Sequence, residues 1–227
     1  MTALNICIGY DQHEAVAFHV LSHSIMRRAS GPVTITPLYL PWLEASGVYK
    51  RERDPNQSTD FTFSRFLTPW LSPGQRSIFM DCDMLCLGDI YELDRMARDM
   101  TCDVAVVKHD YTPTSTAKFL NQPQSSYPCK NWSSLMVFNG HRQPVRNLTP
   151  RYVNNASAMD LHQFKWCADG GIGGLPIEWN HLVGEYLPNP EAKLVHFTLG
   201  GPWFPEYADC EYADHWREEL AHATSAG

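Results

Sequence analysis

The chain is predicted to be a single α/β domain built on a Rossmann-like, mixed and mostly parallel sheet flanked by helices. Two strand-then-helix alternations at its start point that way, as do the short, continuous apolar runs of strand length farther on. With 227 residues, 44% of them hydrophobic and 12% aromatic, there is material for one core of ordinary to large size.

Residues 4–10 read as the first strand, closing at Asp11. Residues 15–25 read as a helix whose Val16, Val20, Leu21, Ser24 and Ile25 share one face. His19 and His23 fall off that stripe and are expected in solvent. After the Gly31-Pro32 break, residues 33–40 form a second strand. Residues 46–59 are polar and charged, the composition of a mobile loop. Residues 61–71 suit a helix that carries Arg65 and ends near Pro69 and Pro73. Residues 76–80 are a buried strand, and 103–107 and 133–139 add two more. The Ser/Thr/Pro-rich connection 111–128 has a length usual for functional loops. Helical residues 150–166 lead to the cluster Gly170, Gly171, Gly173 and Gly174. A late strand over 193–197 runs into Gly200-Gly201-Pro202-Trp203, and a short helix over 212–222 follows.

Composition excludes several classes. A formal charge of −7 with no basic stripe argues against nucleic acid, whose phosphates need clustered Lys and Arg. Seven cysteines, an odd number without a C-x-x-C pair, fit neither a disulfide framework nor a zinc ribbon and are expected as reduced thiols. The start of the chain has no positive leader and no long apolar segment, and no basic amphipathic tail follows Trp203. The expectation is a cytoplasmic protein without a stable membrane anchor.

The most informative feature is Asp81-Cys82-Asp83, directly behind the apolar run Arg76 to Met80. Side chains at i and i+2 leave a strand on one face, and hard divalent cations prefer carboxylate oxygens completed by phosphate or water. Ligands in open α/β sheets bind beyond the carboxyl ends of strands, where these acids stand. By the same alternation the Cys82 side chain points the other way, into the core.

In order and spacing, several segments are similar to the family 8 retaining glycosyltransferases, which include glycogenin and bacterial lipopolysaccharide galactosyltransferases. These are Ser64-Arg65-Phe66-Leu67, Asp81-Cys82-Asp83, Leu175-Pro176-Ile177-Glu178-Trp179-Asn180, and His196 through Gly200-Gly201-Pro202-Trp203. The resemblance covers nearly the whole chain and implies a GT-A fold, residues 1–110 forming the nucleotide-binding half and 111–227 the acceptor-binding half. It implies that Asp81, Asp83 and His196 ligate Mn²⁺ or Mg²⁺ against the diphosphate of a UDP-sugar. Gly9, Tyr10 and Asp11 would hold uracil and ribose, with Asp11 accepting a hydrogen bond from the base and Gly9 giving room for close approach. Cys82 would lie in the donor-binding segment, and Gly200 and Gly201 would offer backbone N–H groups to phosphate. Arg65 would reach the donor sugar and the acidic pair. The family's Asp-Gln pair is met at Asp160-Leu161, so the aspartate is kept and the glutamine is not; Asp169 is a second carboxylate nearby. Trp132-Ser133-Ser134 replaces the family's Asn-Ala-Gly, and Gly201 replaces a lysine, which leaves Lys193 or Lys108 as distant cations for phosphate.

The expected reaction is transfer of glucose or galactose from a UDP-hexose to a hydroxyl acceptor, a saccharide first among candidates, with retention of configuration. Without the glutamine, a front-face path is favoured in which the leaving phosphate oxygen takes the acceptor proton while Asp160 and Arg65 position the sugar. Haloacid dehalogenase-like phosphatases also carry an Asp-x-Asp triplet, but in their first strand and with Thr or Val where Leu85 stands. A nucleotidyltransferase would want a basic glycine-rich loop that residues 9–14 lack. A sugar-nucleotide-binding module without turnover is the non-enzymatic alternative.

Overall fold

A computed structural model describes residues 2–54, 57–110 and 129–225. The connection 111–128, whose length is that of a functional loop, lies outside the described residues. The strands are β1 (Leu4–Tyr10), β2 (Val33–Tyr39), β3 (Arg76–Met80), β4 (Met84–Cys86), β5 (Val104–Val107), β6 (Leu135–Asn139), β7 (Ile172–Leu175), β8 (His181–Leu182) and β9 (Leu194–His196). Six of them form a sheet in the order β2-β1-β3-β6-β5-β7, and β4-β9-β8 form a smaller one. In the larger sheet β1 pairs parallel to β2 and β3, β5 parallel to β7, and β6 runs antiparallel to both its neighbours. This is the mixed, mostly parallel α/β domain that the sequence predicts.

The helices among the described residues are α1 (Ala15–Arg28), α2 (Leu40–Ala45), α3 (Thr68–Leu71), α4 (Ile90–Arg98), α5 (Gln143–Arg146), α6 (Pro150–Asn155), α7 (Ala158–His162) and α8 (Ala213–Thr224). The helix α4 shows why such segments form: Asp89 caps it by accepting from the Tyr91 N–H, and Ile90, Leu93, Asp94 and Ala97 bury one face at helical spacing. In α1 the buried face includes Ala17 and Phe18, while Val16 turns outward.

Several expectations need correction. Pro69 does not end a helix but sits in the first turn of α3, where its missing N–H costs nothing; a 3₁₀ turn, Ser64–Leu67, precedes it. The helical stretch 150–166 is broken between α6 and α7, because Ser157 caps α7 by accepting from the Asp160 N–H at 3.0 Å. Part of the glycine cluster is strand β7, and a Cβ at Gly173 would stand 2.8 Å from the Cys102 sulfur. Within the polar segment, Arg51 is tied down: it donates to the Val153 and Ala156 carbonyls at 2.7 Å each and lies over Phe63. His19 is exposed as expected, but His23 is not simply solvated: it bonds Glu219 at 2.5 Å.

That last contact belongs to a second core. Val20 of α1 joins Leu85, Val183, Ala192, Val195, Phe197 and Trp216 around the small sheet. The helix α8 closes over α1, and its buried Glu219 carboxylate also meets Arg27 at 2.9 Å and Arg28 at 2.6 Å. A carboxylate taken out of water is tolerable only with such partners. Burial pushes its pKa up, yet the hydrogen bonds from Arg28, His23 and Arg27 outweigh this and hold it below the usual range.

Candidate metal centre and donor site

Asp81-Cys82-Asp83 is the crossing between the two sheets. The strand β3 ends at Met80, paired to Ile8 on one side and Leu135 on the other, and the Asp81 N–H then donates to the Ser134 carbonyl at 2.9 Å. Three residues on, Met84 enters β4 directly opposite His196 of β9, and the Phe197 N–H closes on the Asp83 carbonyl at 2.8 Å. This pairing returns His196 to a turn more than a hundred residues upstream.

The Asp81, Asp83 and His196 ligand atoms all lie within 4.8 Å of one another, with His196 Nε2 3.3 Å from an Asp83 oxygen. Asp83 is 8% exposed and His196 2%. Two carboxylates brought together in so little water repel each other, and a divalent cation between them offsets that cost. Carboxylate oxygens with one imidazole form a donor set that accepts Mn²⁺ or Mg²⁺, so the residues fit the implied metal. Cys82 is fully buried, and desolvation, with the acids around it, drives its thiol pKa well above the ordinary value. Its side chain is core, as the alternation implied, so any donor contact at Cys82 is through its backbone.

Arg65 completes this group. It is 6% exposed, lies near the rings of Phe61 and Phe79, and places Nη1 2.9 Å from Asp81 and 2.9 Å from the Ser133 carbonyl. Ser133 also bonds His162 of α7 at 2.9 Å, a ring whose pKa falls to about 3 through burial and then the nearby Arg65 charge. Ser134 holds the Asp81 backbone with its carbonyl and receives the Asn180 amide on its hydroxyl at 2.9 Å. Asn180, fully buried, faces His196 Nδ1 at 3.1 Å. Ser133 and Ser134 are thus the joint of the site. The sequence reading noted them only as departures from a pattern, and it quoted Asn180 without a role.

The other expected residues have the following surroundings. The space beside Gly9 is filled by Phe61, whose ring would be 2.4 Å from an added Cβ. Asp11, 6% exposed, caps the turn that follows it, accepting from the His13 N–H at 3.0 Å, and its other oxygen takes the Asp60 N–H at 3.2 Å. Tyr10 packs edge-on to Phe18 and Tyr39 at the carboxyl ends of β1 and β2. The Gly200 N–H donates to the Phe197 carbonyl at 2.8 Å rather than outward. Cβ atoms at Gly200 and Gly201 would strike Tyr207 and Trp203, so these glycines serve packing. Asp160 is paired with Lys165 at 3.1 Å, and bonds from Ser157 and then Lys165 lower its pKa; no described contact joins it to the acidic cluster. Lys193 pairs with Glu92, and Lys108 donates to the Ile172 carbonyl at 2.9 Å. His109, beyond β5, bonds the Tyr186 hydroxyl at 3.0 Å; burial, then the nearby His196 and His181, lower its pKa to about 3.

A mixed sheet with an Asp-x-Asp crossing at the carboxyl end of an inner strand defines the class as the GT-A fold of glycosyltransferases. The WbbM bifunctional glycosyltransferase superposes with a TM-score of 0.60 at 18% identity over 97% of this chain, which spans half of that structure's length. The galactosyltransferase LgtC, crystallised with donor and acceptor sugar analogs, superposes with a TM-score of 0.57 at 11% identity over 99% of this chain and 98% of its own. Sequence gives the nearer kinship: Protein CDI of Arabidopsis thaliana is 44% identical over 221 residues, 95% of this chain and 85% of that protein. The chain belongs to the Protein CDI family. No family model matches it. No helix among the described residues is long and apolar enough to cross a membrane.

Proposed function

We propose that the chain is a metal-dependent retaining hexosyltransferase of the family 8 kind, moving glucose or galactose from a UDP-sugar to the hydroxyl of a saccharide acceptor. The observation that carries this reading is the convergence of Asp81, Asp83 and His196, with Arg65 on Asp81, where the inner strand leaves the larger sheet. Those three residues would hold Mn²⁺ or Mg²⁺, which when bound stabilises the negative charge left on the diphosphate. Arg65, fixed by hydrogen bonds to the Phe61 and Ser133 carbonyls and paired with Asp81, would present a rigid guanidinium to the donor. Residues Gly9 to Asp11 would receive the nucleoside, with Tyr10 and Tyr39 supplying aromatic edges. Arg65 and Asp160 would position the sugar for a front-face path, and the leaving phosphate oxygen would take the acceptor proton.

Incubation with each UDP-sugar and Mn²⁺, followed by an assay for free UDP, tests the reading. Release from UDP-glucose or UDP-galactose is expected, and Asp83→Ala, folded as judged by circular dichroism, should abolish it. Hydrolysis of p-nitrophenyl phosphate with no UDP release would overturn the assignment in favour of a phosphatase.

A further inference from the structure

The hydrogen bonds behind His196 have a fixed direction. The Asn131 carbonyl can only accept, so the Ser134 hydroxyl 2.7 Å away must donate to it. The Ser134 oxygen then accepts from the Asn180 amide nitrogen at 2.9 Å, which turns the Asn180 oxygen toward His196 Nδ1 at 3.1 Å. An amide oxygen accepts, so Nδ1 must carry hydrogen, and in the neutral ring the lone pair is left on Nε2, the nitrogen beside Asp83. Ser134 and His196 are each 2% exposed and Asn180 is fully buried, so solvent does not compete for these bonds.

We propose that Ser134 and Asn180 are positioning residues that select the His196 tautomer whose Nε2 can accept a metal ion, an inference that rests on the metal reading above. Neither touches the reacting atoms; they act through the ring. Partners behind a ligating histidine raise metal affinity by about 10- to 100-fold. Ser134 thereby gains a role at a position where the family resemblance breaks down.

The test uses the full chain, with ¹⁵N-histidine NMR of the metal-free protein at alkaline pH and Mn²⁺ titration followed by electron paramagnetic resonance. The unsubstituted protein should show His196 protonated at Nδ1. In Asn180→Leu that tautomer should be lost and Mn²⁺ affinity should fall by about 10- to 100-fold. Ser134→Ala, a smaller change that keeps the backbone bond to Asp81, frees the amide to flip and should give mixed tautomers with an intermediate affinity. Asn180→Asp keeps an acceptor and should restore the Nδ1–H form. An Nε2–H ring in the unsubstituted protein, or folded Ser134→Ala with an unchanged tautomer and affinity, overturns the relay. If the unsubstituted protein binds no Mn²⁺ while the tautomer still changes in the variants, the metal reading fails and the relay stands.

Discussion

The two sheets are built by different means, although one acidic turn belongs to both. The larger sheet is held by strands of four to seven residues, and its inner strands β3, β5 and β6 bury runs such as Ile78-Phe79-Met80 and Val104 to Val106 completely. The smaller one has strands of two or three residues and cannot stand without α1, α8 and the aromatic stack Phe197-Trp203-Trp216. Asp81 is anchored to the large sheet, and Asp83 and His196 belong to the small one. The comparison teaches that the meeting of Asp81, Asp83 and His196 depends on how the weaker unit is braced as well as on those residues themselves.

Removing the brace should have the largest effect. Trp216 is 3% exposed and its ring lies 5.4 Å from that of Trp203, so Trp216→Ala should cost about 3–5 kcal/mol by urea unfolding. Hydrogen exchange should rise first in β8 and β9, with β1 and β3 still protected; uniform loss of protection would show that the two sheets unfold as one.

A more gradual effect comes from acid. His109, on the large sheet's β5 side, bonds Tyr186 in the loop after β8, and its folded pKa is lowered to about 3 from an ordinary value near 6.5. Between those values the unfolded chain binds a proton that the folded ring does not. Stability therefore rises with pH across this window, and it falls by about 1.4 kcal/mol per unit as pH drops from about 6.5 toward 3. His109→Gln should remove that part of the slope of urea midpoint against pH; an unchanged slope would count against it.

The smallest effect is expected at Asp160, which meets Lys165 at the surface. Asp160→Asn should lower kcat several-fold with an unchanged Mn²⁺ affinity; a loss as deep as that of Asp83→Ala would place it among the metal-centre groups.

The same contrast explains what could be read from the sequence. β1 and β3 were legible to the residue because a buried strand must be a continuous apolar run. β4 and β8 were not, since two or three residues carry no period. Asp81, Asp83 and His196 stand out as candidate ligands through spacing and resemblance, and their side-chain atoms lie within 4.8 Å of one another. The serine joint and Asn180 were missed because their roles lie in bonds to residues 46 and 68 positions away, which leave no local trace. The glycine pair at 200 and 201 is ambiguous for a related reason: a missing side chain can make room for a phosphate or for an aromatic ring, and the Cβ positions of this pair are taken by Tyr207 and Trp203.

The most direct measurement is a crystal grown with UDP and Mn²⁺, with the ion located by its anomalous signal. The account predicts one ion about 2.2 Å from oxygens of Asp81 and Asp83 and from His196 Nε2, touching the diphosphate. An ion held elsewhere, or UDP bound with those three groups still apart from any metal, would contradict it.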